Sequence, residues 1–248
     1  MSQNDFRFKQ FLIHQDRCAM KVGTDGVLLG AWVKTGDARS ILDIGTGTGL
    51  IALMMAQKSD ASVHAIDIDE DAWLQAIDNF KASPWSDRLQ CIHQSLQYFS
   101  SHTPDRYDLI VSNPPYFLDA HPAPSEARNI ARHMDETLSI EELVDGVKKL
   151  LSPRGRFCVI LPFREGMKFM EHATSSGLFI HHITKVKTKV EKQEKRLMME
   201  FAAYPATTEE DELVIQEEDL SFTKEYIDLT NDFYLGLPKK RNEPSKEL

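Results

Sequence analysis

The chain has 248 residues, 42% hydrophobic and 27% charged, with 12 Gly and 11 Pro, a composition that excludes a disordered, low-complexity or collagen-like protein. Its formal net charge of −9 excludes whole-molecule attraction to phosphates, so a nucleic-acid partner has to be met by a local basic patch. The 3 cysteines, Cys18, Cys91 and Cys158, are odd in number and far apart, which offers neither a disulfide framework nor a C-x-x-C knuckle and fits a reducing cytoplasm.

At the amino end, MSQNDFRFKQFLIHQDR breaks every short apolar run with a charge, and no run of ~18 apolar residues follows, so neither a signal peptide nor a membrane span is expected. From Ser40 the pattern becomes regular. SILDIG predicts a strand, LIALMMAQ a helix, SVHAIDI a strand, EDAWLQAIDNFKAS an amphipathic helix and RLQCIHQ a weak strand. YDLIVSN then predicts a strong strand, SIEELVDGVKKLLS a helix stopped by Pro153, and RFCVILP a fifth strand. Strands alternating with helices form right-handed βαβ units and a parallel sheet covered on both faces, the doubly wound α/β class.

Beyond it, a helix from Arg164 to Ser175 precedes two alternating runs, Leu178 to Val190 and LMMEFAAY, which predict a terminal antiparallel hairpin. Two blocks of opposite charge, KVKTKVEKQEKR and EEDELVIQEED, read as solvated surface, FTKEYIDLTNDFYL as a short docked helix, and KKRNEPSKEL as a frayed tail. No linker divides the chain. A single domain is expected, with an extension over 1–39 covering cofactor and substrate, an α/β core over 40–204 and a second extension over 205–248.

Three signals converge on the carboxyl edge of the predicted sheet. Asp43-Ile44-Gly45-Thr46-Gly47-Thr48-Gly49 lies where a strand gives way to a helix, and glycines there let the backbone approach a ligand. The spacing G-x-G-x-G departs from the G-x-G-x-x-G of a nicotinamide fingerprint. Asp43, buried at a strand end, would repel a pyrophosphate and pair with an ammonium, such as that of S-adenosylmethionine. A tight turn without ligand is the plain alternative. Asp67 closes the second strand, where a carboxylate accepts hydrogen bonds from ribose hydroxyls; Asp69 and Glu70 suit a helix cap. Asn113-Pro114-Pro115-Tyr116 follows the fourth strand. The Asn113 oxygen and the Pro114 carbonyl can accept both N–H bonds of a planar amine, with Tyr116 as a stacking platform. A Pro-Pro turn with a tyrosine covering the core is the structural alternative.

In that order these residues resemble the class I S-adenosylmethionine-dependent methyltransferases of the [DNS]-P-P-[YFW] group, which methylate planar amines. FRFKQFLIHQDRCAMKVGTDGVLLGAWV at the amino end and YIDLTNDFYL near the carboxyl end extend the likeness over nearly the whole chain, to the bacterial family that methylates N6 of adenine 37 in valine tRNA. The resemblance implies a Rossmann-like fold with a mostly parallel seven-stranded sheet, S-adenosylmethionine as cofactor, and tRNA as partner through its anticodon region. Lys21, Thr24, Asp25 and Gly26 stand where the family brings a loop over the methionyl part of the cofactor, although Asp25 equally suits an N-cap of the following helix. Gly45, Thr46, Gly47, Gly49, Asp67 and Ile68 complete the implied cofactor set with Asp43 and Asn113. Ser95 departs from the pattern, since many relatives carry Asp there for the cofactor adenine, and Leu96 beside it supplies backbone and apolar contact.

For RNA, the stretch between Tyr116 and Ser139 is polar and long enough for a substrate loop, with Arg128, Arg132 and His133 on it. Lys185, Lys187, Lys189, Lys192, Lys195 and Arg196 form a basic patch at the expected hairpin; alternation aims the first three to one strand face, as a phosphate footprint or as a solvated tip. Lys239, Lys240 and Arg241 are a second cationic group. Phe11 and His14 carry no assignment. The histidines show no metal-binding spacing, so no metal site is assigned, and a cytoplasmic monomer is expected. Rival readings keep the fold and change the acceptor, to a protein glutamine amide or guanine N2 of ribosomal RNA. A catalytically silent RNA-binding scaffold belongs to another class. A nicotinamide oxidoreductase fits least.

Overall fold

The computed structural model describes residues 5–18, 20–115 and 138–236. Tyr116, Arg128, Arg132, His133 and the cluster Lys239, Lys240 and Arg241 lie outside the described residues, as does most of the stretch read as a substrate loop.

The centre is a run of parallel strands built from the apolar segments of the core: β3 (Ser40–Ile44), β4 (Ser62–Asp67), β5 (Leu89–His93), β6 (Tyr107–Ser112) and β7 (Leu151–Pro162). Strands covered on both faces bury consecutive, mostly apolar positions, and β3 and β6 each bury four residues in a row, with Asp43 and Ser112 as the polar members. β8 (Phe179–Lys187) and β9 (Glu194–Ala202) make the expected antiparallel hairpin, with β9 inserted between β7 and β8. Among the described residues the sheet has eight strands in the order β10-β8-β9-β7-β6-β3-β4-β5. The expected count was seven. The extra strand, β10 (Glu209–Val214), comes from the block EEDELV and pairs parallel with β8. Its charge hid it: four carboxylates in succession read as solvated surface, and the pairing of Glu210 with Lys185 and of Glu212 with Lys187 on β8 makes a strand of that composition tolerable.

Helices α1 (Thr24–Trp32), α2 (Leu50–Lys58) and α3 (Glu70–Lys81) contribute to one apolar cluster, which includes Leu29, Leu53 and Phe80. On the other face α4 (Leu96–His102), α5 (Ile140–Leu150) and α6 (Phe163–Ser175) bury Phe99, Leu143 and Phe169 in a second. Sequence chemistry sets the helix starts. Asp69 accepts from Ala72 N at 2.7 Å as the α3 cap, and Ser139 and Glu142 form a reciprocal capping box on α5.

The amino end carries an unforeseen two-stranded hairpin, β1 (Asp5–Arg7) and β2 (Leu12–His14). It is tied to the expected carboxyl-side helix, α7 (Lys224–Thr230), and the turn beyond it: Phe8 bridges to Tyr234, and Lys9 N donates to Phe233 O at 2.8 Å. The arm continues over α3. Buried Asn79 accepts from His14 N and donates to the carbonyls of His14 and Thr48, and buried Gln75 accepts from Arg17 N. No helix among the described residues is long and apolar enough to cross a membrane.

Strand order reverses between β3 and β6, because the chain lays β4 and β5 on one side of β3 and returns to the other for β6. Ligands of open α/β sheets bind in the crevice at the carboxyl ends of such strands.

Candidate active site

A cavity of about 820 Å³ opens at that crevice. Gly45 and Gly47 line it from the β3 end, Asp67 and Ile68 from β4, Ser95 and Leu96 from β5, and Asn113 with Pro114 from β6. The fold thus brings together three motifs far apart in the sequence.

The glycine loop is held in shape by its own amides. Gly45 N and Thr46 N donate to Ile66 O at 2.9 and 3.1 Å, and Gly47 N donates to Asp67 Oδ2 at 2.8 Å. Gly45 and Gly47 have φ of 69° and 56°, and a β-carbon built on either meets nothing within 4 Å. Both therefore leave open space beside the backbone in a conformation that glycine adopts without penalty. Gly49 is different. Its φ is 81°, and a β-carbon there would strike the Phe80 ring at 2.5 Å, so this glycine serves the packing of α2 on α3.

Asp43 is fully buried beneath the loop. Its Oδ2 accepts from Thr46 Oγ1 at 2.6 Å and Ala52 N at 3.1 Å, while Oδ1 has no hydrogen-bond partner. Burial pushes its carboxyl up to about 7, against the opposing pull of those two hydrogen bonds. Asp67 also lies above the usual carboxylate range, again chiefly through burial. Its second oxygen accepts from Asp69 N at 3.0 Å, so one side chain joins the glycine loop to the start of α3.

Asn113 is half-buried and Pro114 buried. A β-carbon at Gly26 would lie 3.9 Å from Asn113 Nδ2, which places the first turn of α1 against the asparagine amide. Ser112 Oγ donates to Ile44 O at 2.9 Å and locks the ends of β3 and β6 together beside it.

The segment before α1 is arranged differently from expectation. The cavity wall there is made by Cys18 and Met20 rather than by Lys21, Thr24, Asp25 or Gly26. Lys21 Nζ donates to Gln15 O, and Thr24 is exposed. Asp25 does not cap α1, whose N-cap is Gly23; its Oδ2 accepts from Arg196 Nε at 2.7 Å. Nothing in the residue types of Cys18 and Met20 marks them as cavity lining, since their place depends on how Gln75 and Asn79 pin the arm.

The basic patch lies on the carboxyl-edge side, where Arg196 is in register with Pro162 at the end of β7. Lys185 pairs with Glu210 at 3.1 Å, Lys187 with Glu212 at 2.6 Å and Glu194 at 3.8 Å, and Lys189 Nζ donates to Glu218 O. Arg196 turns inward to Asp25, whereas Lys192 and Lys195 are exposed.

The profile of the methyltransferase small domain family matches residues 19–172, a stretch containing all three motifs. A tRNA1(Val) (adenine(37)-N6)-methyltransferase of Phocaeicola vulgatus is 48% identical over 94% of this chain and 98% of its own length. The protein of that name in Flavobacterium johnsoniae is 48% identical over 94% of the chain and its entire length. The chain belongs to this methyltransferase family. Its fold is the Rossmann-like class I methyltransferase fold: a predicted O-methyltransferase from Agrobacterium tumefaciens superposes with a TM-score of 0.65 at 17% identity, covering 84% of this chain and 96% of the other. The glycopeptide N-methyltransferase MtfA, whose structure was solved with S-adenosylmethionine, superposes at 0.55 with 12% identity, covering 73% and 95%.

Proposed function

We propose that the chain transfers the methyl group of S-adenosylmethionine to the exocyclic N6 amine of adenine 37 in valine tRNA, acting as a cytoplasmic monomer. The observation that carries this reading is the meeting of Asn113 and Pro114 with the glycine loop and Asp67 around one cavity. Relatives that match over nearly their whole length and bear that activity in their names support it.

The residues fit the cofactor. Open space beside Gly45 and Gly47 admits the methionyl backbone, and the unmatched Oδ1 of Asp43 below the loop favours a cation above it. Asp67 retains acceptor capacity for ribose hydroxyls, and Ile68 and Leu96 supply apolar surface for a heterocycle. When bound, S-adenosylmethionine supplies a methyl already activated on a sulfonium, so the protein's task is positioning.

An adenine amine is a weak nucleophile because its lone pair is delocalised into the ring. Asn113 Oδ1 and the Pro114 carbonyl accept its two N–H bonds and draw the nitrogen toward tetrahedral geometry. Neither acceptor ionises, and the extra proton leaves to solvent after transfer. Tyr116 would stack on the base once it is out of its helix. Lys192 and Lys195 at the hairpin would meet RNA phosphates, with Arg128 and Arg132 as further contacts. Residues 1–39 and 205–248 would act with the 40–204 core as one functional unit.

The test is incubation with S-adenosylmethionine and unmodified tRNA, followed by digestion and mass spectrometry of nucleosides. New N6-methyladenosine at position 37 of valine tRNA is the expected result. Methylation of a protein glutamine or of guanine N2 in its place would overturn the acceptor.

A further inference from the structure

We infer that Asn79 is a positioning residue for the cofactor: one buried carboxamide ties the amino-terminal arm to the glycine loop and so holds Cys18 and Met20 against the cavity. The inference rests on the S-adenosylmethionine reading above and deepens it by naming a residue, outside the cavity wall, that sets cofactor affinity.

The hairpin of β1 and β2 has only two strands, too few to stand without further support. At its end Asn79 takes the place of a neighbouring strand. Its Oδ1 accepts from His14 N at 2.9 Å, and its Nδ2 donates to His14 O at 2.9 Å. The remaining N–H of the same amide donates to Thr48 O at 2.8 Å, inside the glycine loop. A backbone N–H only donates and a carbonyl only accepts, so this amide has a single orientation. Gln75 lies four residues earlier on the same face of α3 and accepts from Arg17 N at 2.9 Å. Both carboxamides are buried. On the other side of Met20, Gln15 Oε1 accepts from Val22 N at 2.7 Å. The arm is thus fastened before and after Cys18 and Met20, the two of its residues that wall the cavity. Met20 presents 58% of its surface there as apolar area for a ligand to cover. Asp69 and Ala72, at the start of α3, line the same cavity. This helix therefore meets the cavity with its first turn and fixes the arm and the glycine loop with the turns behind it.

Calorimetric titration of the full chain with S-adenosylhomocysteine tests the assignment, beside thermal unfolding of each variant. Asn79→Leu should weaken binding by roughly 10- to 100-fold, because the arm then holds its place only part of the time and apparent affinity falls with that fraction. Gln75→Met removes one bond to the arm and none to the glycine loop. This milder variant should weaken binding by about 3- to 10-fold. Gln57→Met removes a carboxamide anchor of the same kind, donated from Nε2 to Asp232 O at 2.9 Å between α2 and the turn beyond α7, and should leave affinity within about twofold. Met20→Ser should cost about 3- to 10-fold in the wild type through lost apolar contact. That cost should shrink in the Asn79→Leu and Gln75→Met backgrounds, since the arm that carries Met20 is already loosened.

Affinity within about twofold of the wild type in both Gln75→Met and Met20→Ser would show that the arm does not reach the cofactor. A Met20→Ser cost that persists in full in the Gln75→Met background, or an equal loss of affinity in Gln57→Met, would show that the carboxamides serve the fold alone. Any of these results overturns the inference and leaves the cofactor reading intact. Failure of the wild type to bind S-adenosylhomocysteine at all would instead bring down the cofactor reading and this inference with it.

Discussion

A fully buried carboxylate with one unmatched oxygen resists ionisation, and Asp43 keeps its proton up to about pH 7 for that reason. A cation arriving over the glycine loop favours the ionised form, so cofactor binding should release a proton from Asp43. Cofactor affinity is then expected to rise by up to about tenfold per pH unit below pH 7 and to level off above it. The slope should vanish in Asp43→Asn, which isothermal titration between pH 6 and 8 would show. Without cofactor the sign reverses. The folded-state pKa is raised, so this stabilisation is complete below pH 3.8 and is lost as pH climbs through about 7. Asp67 adds in the same direction. On the proposed reading Asn113 acts on the base rather than on the fold. Asn113→Ala should lower kcat by about 100-fold while S-adenosylhomocysteine affinity stays within a factor of about two; loss of cofactor binding with unchanged saturated turnover would contradict this role.

Among the helices, α1 and α2 depend on a single lysine. Lys58, the last residue of α2, donates to the carbonyls of Gly30, Ala31 and Val33 and so satisfies the end of α1, where the chain turns toward β3. Burial lowers its ammonium to about 8, a cost borne because those carbonyls would otherwise lack partners. Lys58→Met should cost about 2–3 kcal/mol in denaturant unfolding, since it leaves buried acceptors unpaired; a loss under ~0.5 kcal/mol would mean that water satisfies them. The cap of α3 at Asp69 was legible because a cap acts within a few residues of chain, whereas Ser95, which caps α4, was read as a cofactor contact and Ser139, which caps α5, carried no reading. Strand β10 was not legible, because Glu210 and Glu212 are matched by Lys185 and Lys187 of β8, more than twenty residues away in sequence.

Over the whole molecule, a net charge of −9 leaves little electrostatic reach toward RNA, and much of the basic hairpin is already matched by acids. Glu210→Gln with Glu212→Gln would release Lys185 from its acid partner and leave Lys187 only Glu194 at 3.8 Å. If that face tracks a tRNA backbone, affinity should tighten and the slope of log K against log salt should steepen by roughly one to two. An unchanged slope in filter binding across salt concentrations would place the RNA elsewhere. The same two acids sit on β10, so thermal unfolding of the double variant separates a lost sheet edge from a gained phosphate contact.

The glycine loop, Asp67 and the Asn113-Pro114 turn were legible in the sequence because each depends on local geometry: a strand end, a tight turn, a fixed proline. Apolar periodicity was likewise enough for the five parallel strands and for α2, α3 and α5, though not for the short α4, since burial on one or two faces writes itself into the residue order. Which residues of the amino-terminal arm wall the cavity was decided by tertiary structure alone. Asp25 was drawn away to Arg196, a residue 171 positions along the chain, and Cys18 and Met20 came to the cavity instead because carboxamides of α3 pin the arm that carries them. Ion pairs and carboxamide anchors between distant segments leave no period in the sequence. They exist only once the sheet has brought their partners together.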